Sequence, residues 1–325
     1  MAEFPTSPLQ RSLRIVFFGT PEFAAACLDE LAGSQHEIAG VVTAPDRRSG
    51  RGQHIQPSAV KTAAEARGLP LLQPTNLKSP EFNASLAAWE ADVYLVVAFR
   101  MLPRIVWDAP EFGTINLHAS LLPQLRGAAP IQWAIIHGLK TSGVSTFSLQ
   151  HAIDTGDVLL QKEVTIDEMD DAGALYSKLL EHGKALLVRT LDELVEGRLT
   201  PQPQRTDEFC LEAPKLTREN TSIDWSQNTV NVLNKIRGLH PSPKAWTASP
   251  IGDIKILKAH FLPTFEHADD AQPGSVASVK GVLAVRCSDG WIGIDALIPP
   301  GKGRMSGQAW SNGLHSPVAR FGDQA

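Results

Sequence analysis

The sequence predicts an α/β protein: an open, mostly parallel sheet flanked by helices, followed by a smaller antiparallel β domain. Three observations carry this reading. Short continuous apolar runs, such as LRIVFF at Leu13–Phe18 and VYLVVA at Val93–Ala98, alternate with amphipathic stretches up to Gly197, as strands buried on both faces do between helices. Beyond Gly197 the pattern changes to short apolar runs split by turn residues. The length of 325 residues suits about two domains.

Each element follows in order. Leu13–Phe18 is a strand closed by Gly19. Thr20 is the expected N-cap of a helix with Pro21 at its first position, and Gly33 ends it. Ile38–Thr43 is the next strand, which completes a βαβ start of the length a right-handed crossover needs. Ser58–Arg67 is helical and stops at Gly68-Leu69-Pro70. Strands follow at Val93–Ala98 and Thr114–His118, a helix at Pro130–His137, and strands at Val144–Leu149 and Val158–Val164. Ala172–Glu196 is a long helix with leucines at 175, 179, 186, 187, 191 and 194 near helical spacing. The two-proline stretch Leu199–Asp207 reads as a linker. The later runs Ile254–Leu257, Gly274–Val279, Val282–Arg286 and Trp291–Ile294 suggest a small barrel or sandwich. The expected division is a flexible tail over 1–12, an α/β domain over 13–198, a linker over 199–212 and a second domain over 213–325.

Composition removes several classes. With 43% hydrophobic and 20% charged residues, the chain can bury a core and is not disordered. Its 25 glycines and 23 prolines are dispersed, not massed, which excludes collagen-like architecture. No apolar run approaches the roughly 18–20 residues of a membrane span. The net charge of −5 argues against a general nucleic-acid coat, yet residues 213–325 hold 12 basic against 9 acidic side chains and residues 1–212 hold 18 against 26. That asymmetry permits a polyanion partner for the C-terminal part. The three cysteines, Cys27, Cys210 and Cys287, form no CxxC. They suit neither a disulfide framework nor a zinc site and point to a reducing compartment. The start has no signal-peptide core, so a cytoplasmic location is expected.

The first strand leads into Gly19-Thr20-Pro21-Glu22, where a dinucleotide-binding, Rossmann-type protein would carry GxGxxG. Its absence argues against nicotinamide chemistry, and no GxxxxGK[ST] loop occurs either. The densest polar cluster is Asn116-Leu117-His118-Ala119-Ser120. On a strand Asn116 and His118 share a face, because side chains alternate with a period of two. They sit at the carboxyl end of a central strand, where open α/β sheets hold ligands. The plainer alternative is a core histidine and a turn asparagine. Asp154-Thr155-Gly156-Asp157 is the second cluster. A single DTG excludes an aspartic protease, which needs two such loops, and its plainer alternative is a turn.

Asn116–Pro123 followed by Arg126-Gly127-Ala128-Ala129-Pro130-Ile131-Gln132 resembles the signature of the 10-formyltetrahydrofolate-dependent formyltransferases. Ile153–Val158 resembles their second signature. The opening Ile15–Phe23, the loop Pro45–Gly52, Ile223-Asp224-Trp225 and Pro299–Ser306 resemble the branch that formylates initiator Met-tRNA. The likeness runs from about Leu13 to about Met305. Two departures stand out. Phe99-Arg100 replaces the usual Tyr-Gly pair, putting a large charge where backbone normally approaches the pterin pocket, and Arg48-Ser49 replaces Pro-Ala in the basic loop.

The resemblance implies a fold and a chemistry. The N-terminal domain is expected to adopt the formyltransferase fold and the C-terminal one an OB-like barrel that rests on tRNA. The α-amine of the methionyl ester attacks the formyl carbon, an oxyanion forms, and the folate amine leaves. Asn116 and His118 are the expected donors to the oxygen. Asp154 is expected to hold the His118 tautomer and take the amine proton. Ser120, Leu121, Leu122 and Pro123 are expected to line the folate site. Arg47, Arg48 and Arg51 are expected to clamp the acceptor stem, with Lys235, Arg237, Lys244, Lys302 and Arg304 as weaker RNA candidates. Arg126 orients the catalytic loop, meets an acidic group, or is a solvated loop residue. The implied co-substrate is 10-formyltetrahydrofolate without a metal, and the implied partner is initiator Met-tRNA, bound by a monomer with no membrane attachment. Rival readings are a sugar-nucleotide formyltransferase, a formyltetrahydrofolate hydrolase, a tRNA-binding protein without catalysis, a Ser120–His118 nucleophile and a zinc hydrolase.

Overall fold

A computed structural model describes residues 4–49, 54–205, 209–265, 271–313 and 318–322. The fold divides into two compact units. The first comprises residues up to Gly127 together with Ser142–Val164 and Ser177–Glu212. The second comprises Ala128–Thr141, Thr165–Tyr176 and the residues from Ala213 onward. The stretch expected to be a linker thus packs with the first unit, and two internal segments pack with the second.

The first unit is built on a seven-stranded sheet. Its strands are β1 (Arg14–Gly19), β2 (Glu37–Val42), β3 (Leu71–Leu72), β4 (Val93–Val97), β5 (Thr114–His118), β6 (Thr141–Ser148) and β7 (Val158–Thr165). The order is β7-β6-β5-β4-β1-β2-β3. The pairs from β5 through β4, β1 and β2 to β3 are parallel, and β6 runs antiparallel to β5. The continuous apolar runs fall where burial on both faces demands them: all five residues of β4 are buried. Val16, Phe18, Val42, Tyr94 and Val96 form one core with Phe82 and Leu86 of the Pro80–Ala87 helix. On the long helix, Gly183 lets Leu117, Phe23 and Val144 come close.

Local capping departs from expectation at the first helix. Glu22–Ala32 begins after Pro21, which is itself the N-cap and offers no side-chain bond. Thr20 does not cap; its carbonyl instead accepts from the Val60 N–H. Gly33 ends the helix as expected, and Ser58 caps Ala59–Ala66 through the Lys61 N–H. In the segment expected to be a loose tail, the Leu9 N–H donates to the Val195 carbonyl. Arg11 there forms a two-pronged ion pair with Asp92 at 2.6 and 2.7 Å.

The second unit carries a six-stranded antiparallel sheet. Its strands are β8 (Ala245–Thr247), β9 (Ile254–Leu262), β10 (Val276–Val279), β11 (Val282–Arg286), β12 (Trp291–Ile298) and β13 (Met305–Ser306). The order is β8-β9-β12-β11-β10, with β13 on β12. Among the described residues no pairing joins β8 to β10, so the sheet stays open. Its core gathers Ile254, Ile256, Val285, Ile292 and Trp310 against Val232 and Ile236 of the Thr229–Gly238 helix.

Cys27 and Cys287 are buried and Cys210 is half-buried, none of them in a disulfide. Burial pushes the Cys27 and Cys287 thiols up to about 12. Among the described residues no helix is long and apolar enough to cross a membrane.

Candidate active site

β5 places Asn116 opposite Phe147 and His118 opposite Ser145 on β6. The Phe147 ring meets the imidazole edge-on, with centroids 6.5 Å apart. His118 is buried, and its Nε2 lies 2.9 Å from the Leu125 carbonyl oxygen. A carbonyl only accepts, so Nε2 carries the proton. Nδ1 then faces Asp154, 3.7 Å from its Oδ2. This corrects one expectation. The tautomer is held by Leu125 rather than by Asp154, since 3.7 Å is too long for a direct hydrogen bond. Oδ2 of Asp154 instead accepts the Gly127 N–H at 2.9 Å. The Asn116 amide has no hydrogen-bond partner among the described residues and stands half-buried on the strand.

The backbone around these groups is unusual. Leu125 and Asp154 both adopt left-handed φ, 59° and 53°, which costs on the order of 1 kcal/mol or more for a residue with a side chain. Both are tied down. The Leu125 N–H donates to the Leu211 carbonyl at 2.7 Å, and its carbonyl takes His118. Gly156, two residues after Asp154, has no room for a side chain: a Cβ there would lie 1.6 Å from the Ser148 carbonyl oxygen.

The residues expected to meet folate form a braced loop. Ser120 is fully buried and its hydroxyl donates to the Gln124 carbonyl at 2.5 Å. With that proton engaged, and with Nε2 of His118 on Leu125, a Ser120–His118 nucleophile lacks its defining hydrogen bond. Ser145 donates to the Ser120 carbonyl at 2.6 Å and accepts from the Leu122 N–H at 3.1 Å. Gln161 donates to the Leu122 carbonyl at 2.9 Å and to Ser145 at 2.8 Å. Leu122 is buried, while Leu121 and Pro123 are half-buried.

Arg126 is half-buried and engaged by a neighbour rather than left free in the loop. Its Nε and a terminal nitrogen both donate to Oε1 of Gln204, at 3.0 and 2.6 Å. Gln204, Ser145, Gln161 and the Leu125 carbonyl escape sequence reasoning, because their partners lie up to 78 positions away. The one local signal is the stiff run Pro201-Gln202-Pro203-Gln204.

The basic loop is described in part. Arg47 lies on a short antiparallel hairpin opposite Gln56 and is exposed. Arg48 pairs in register with Ile55, but its side chain falls outside the described residues, and Arg51 lies outside them altogether. Asp46 anchors the base of the hairpin through Lys61 and Gln73, each at 2.7 Å. These bonds hold its carboxyl below the usual range. Arg100, the departure from the family pattern, turns to the carbonyls of Pro74 and Thr75. Burial first, then Arg47, lowers the affinity of its guanidinium for its proton.

A cavity of about 310 Å³ sits at the opposite end of β5, against Thr114, Ser148 and Asp157. It shares no residue with the cluster. Among the described residues no group of three or more His, Cys, Asp or Glu could hold a metal.

Comparison with known proteins identifies the family of the chain. The sequence pattern of the formyl transferase family matches residues 13–191, and that of the formyl transferase C-terminal domain matches residues 215–315. The chain is 42% identical over 312 residues to the methionyl-tRNA formyltransferase of Bacteroides fragilis, covering 94% of this chain and 96% of the relative. To that of Flavobacterium psychrophilum it is 44% identical over 306 residues, covering 94% and 97%. In fold it resembles the sugar 3N-formyl transferase WlaRD, crystallised in the presence of dTDP and 5-N-formyl-THF. The TM-score is 0.63 at 16% identity, over 87% of this chain and 97% of that one. The chain therefore belongs to the formyltransferase family, in its methionyl-tRNA formyltransferase branch of formyl-transferring enzymes.

Proposed function

We propose that the protein moves a formyl group from 10-formyltetrahydrofolate to the α-amine of methionine on initiator Met-tRNA, and so serves translation initiation in the cytoplasm. The observation that carries this reading is the meeting of His118 and Asp154 at 3.7 Å, with His118 on the strand that also bears the Asn116 amide, which has no hydrogen-bond partner among the described residues. The co-substrate supplies a formyl carbon bonded to its N10 nitrogen. The amine nitrogen bonds to that carbon, the N10–carbon bond breaks, and one proton passes from the amine to the departing nitrogen.

The side chains divide this work. The Asn116 amide donates to the formyl oxygen as negative charge grows on it. A single such donor is worth roughly 10²–10³ in rate. His118 keeps Nε2–H on Leu125 and has Nδ1 to carry the mobile proton. Protonated, Nδ1 donates to the oxyanion and then returns its proton to the leaving nitrogen. Asp154 stabilises that imidazolium across 3.7 Å and draws the proton from the amine, directly or through water. An acid–base group contributes about 10²–10⁴.

The pterin is read by backbone groups of Ser120, Leu121, Leu122 and Pro123, a loop whose bracing by Ser145 and Gln161 fits the recognition of a rigid planar ring. Arg47, Arg48 and Arg51 grip the acceptor stem, and the open sheet of the second unit serves as an OB-like platform for the RNA. We assign catalysis, with the arginine loop, to residues 13–198 and the remaining RNA contact to 213–325 of a monomer.

The test mixes the protein with 10-formyltetrahydrofolate and methionine-charged initiator tRNA, then deacylates the tRNA. Formyl-methionine is expected. Formate released without an acceptor would make the protein a hydrolase, and turnover of neither substrate would overturn the reading.

A further inference from the structure

Gln204 joins the two loops of the site. Its Oε1 accepts hydrogen bonds from Nε and Nη2 of Arg126, and its Nε2 donates to the Asp154 carbonyl at 2.9 Å and the Gly156 carbonyl at 2.7 Å. The orientation of this amide is dictated by chemistry. A guanidinium only donates and a carbonyl only accepts, so the oxygen must face Arg126 and the nitrogen must face the turn. All four contacts of the side chain are thereby used. On the other side, Gly127, next to Arg126, donates to the Asp154 carboxylate. The Arg126-Gly127 pair thus grips Asp154 twice, once directly and once through Gln204.

We propose that Gln204 is the positioning residue that sets the Asp154 carboxylate against His118; this rests on the reading of Asp154 as the proton acceptor. The turn needs such a clamp. Asp154 is held at a left-handed φ of 53°, and a single turn anchored only at its ends would relax toward an unstrained backbone. The gap of 3.7 Å to His118 leaves little tolerance, since a shift of about 1 Å at reacting groups can cost on the order of 10²-fold in rate.

Two variants and a background test this. Gln204→Met keeps the length and loses every hydrogen bond. Gln204→Glu keeps the Arg126 contact but presents an acceptor to two carbonyls. Both are expected to lower kcat about 30-fold or more, with KM for each substrate within about threefold and the melting temperature near that of the parent. In an Asp154→Asn background, measured in single turnover, Gln204→Met is expected to cost less than about threefold further, because a residue acting through Asp154 has nothing left to position. Near-normal kcat in both variants would overturn the proposal. So would a full additional loss on the Asp154→Asn background, or a loss confined to KM. If Asp154→Asn alone kept normal turnover, the acid–base reading would fail first, and this proposal with it.

Discussion

The loop from Ser120 to Gly127 and the hairpin around Arg47, both assigned above to the proposed reaction, are built in opposite ways. The first is buried at Ser120, Leu122 and Leu125 and half-buried elsewhere, strained at Leu125, and braced from β6, β7 and the segment after the long helix. The second presents an exposed arginine on a hairpin of three residue pairs and is anchored at its base through Asp46. Polar groups that must meet a developing charge gain from being fixed beforehand, since no reorganisation then accompanies the reaction. Charges that meet a phosphate backbone need reach more than precision, and their contribution is screened by salt. The contrast predicts that substitutions in the first region act on turnover and those in the second on affinity.

The largest effect should come from the trio itself. Asp154→Asn or His118→Ala should lower kcat at saturating substrates by at least about 10²-fold; near-normal turnover in steady-state assays would break the comparison at its centre. Gly156→Ala comes next. Its Cβ would meet the Ser148 carbonyl oxygen at 1.6 Å, so backbone must move in the turn that carries Asp154. We expect roughly a 10-fold or greater loss of kcat together with a lowered melting temperature, as strain at an overfilled backbone position costs about 1–3 kcal/mol.

Arg47→Ala sharpens the other side. It should weaken tRNA binding and flatten the slope of log K against log salt by about 0.7–0.9 for each phosphate that the side chain no longer neutralises, while kcat at saturation stays unchanged. Anisotropy titrations at several salt concentrations measure this, and an unchanged slope would remove Arg47 from the interface.

The smallest expected effect lies away from both regions, at Asp92. Burial works against its charge, but hydrogen bonds from Arg11 and the Arg14 N–H outweigh burial and hold the carboxyl below its ordinary value. A depressed carboxyl contributes stability that is present above the ordinary carboxylate range and lost as pH falls through the folded value. Asp92→Asn should therefore lower the melting temperature at neutral pH, and the difference should close in acid. A difference that persisted unchanged in acid would show that the ion pair is not its source.

Much of the fold is legible in the sequence because burial on two faces writes continuous apolar runs, as in Val93–Val97. Asn116 and His118 are legible as a pair because strand alternation puts them on one face. Asp154 is not: a lone DTG turn reads as a turn, and only resemblance points to it. Gln204 reads as part of a linker, since a hydrogen bond to a turn 50 positions earlier leaves no local periodicity. Thr20 reads as a cap because Thr-Pro favours that role, while in the fold a tertiary contact with Val60 takes its carbonyl. The charge of Arg100 looks disruptive in sequence, yet two carbonyls at Pro74 and Thr75 receive it.

The thiols offer a practical handle. Cys27 and Cys287 are sealed and kept protonated, so a maleimide dye added to the native protein should report from Cys210. That residue precedes Leu211, whose carbonyl steadies Leu125. Without any engineered mutation, the chain offers a fluorescent vantage point beside the proposed reaction centre, from which substrate arrival can be timed.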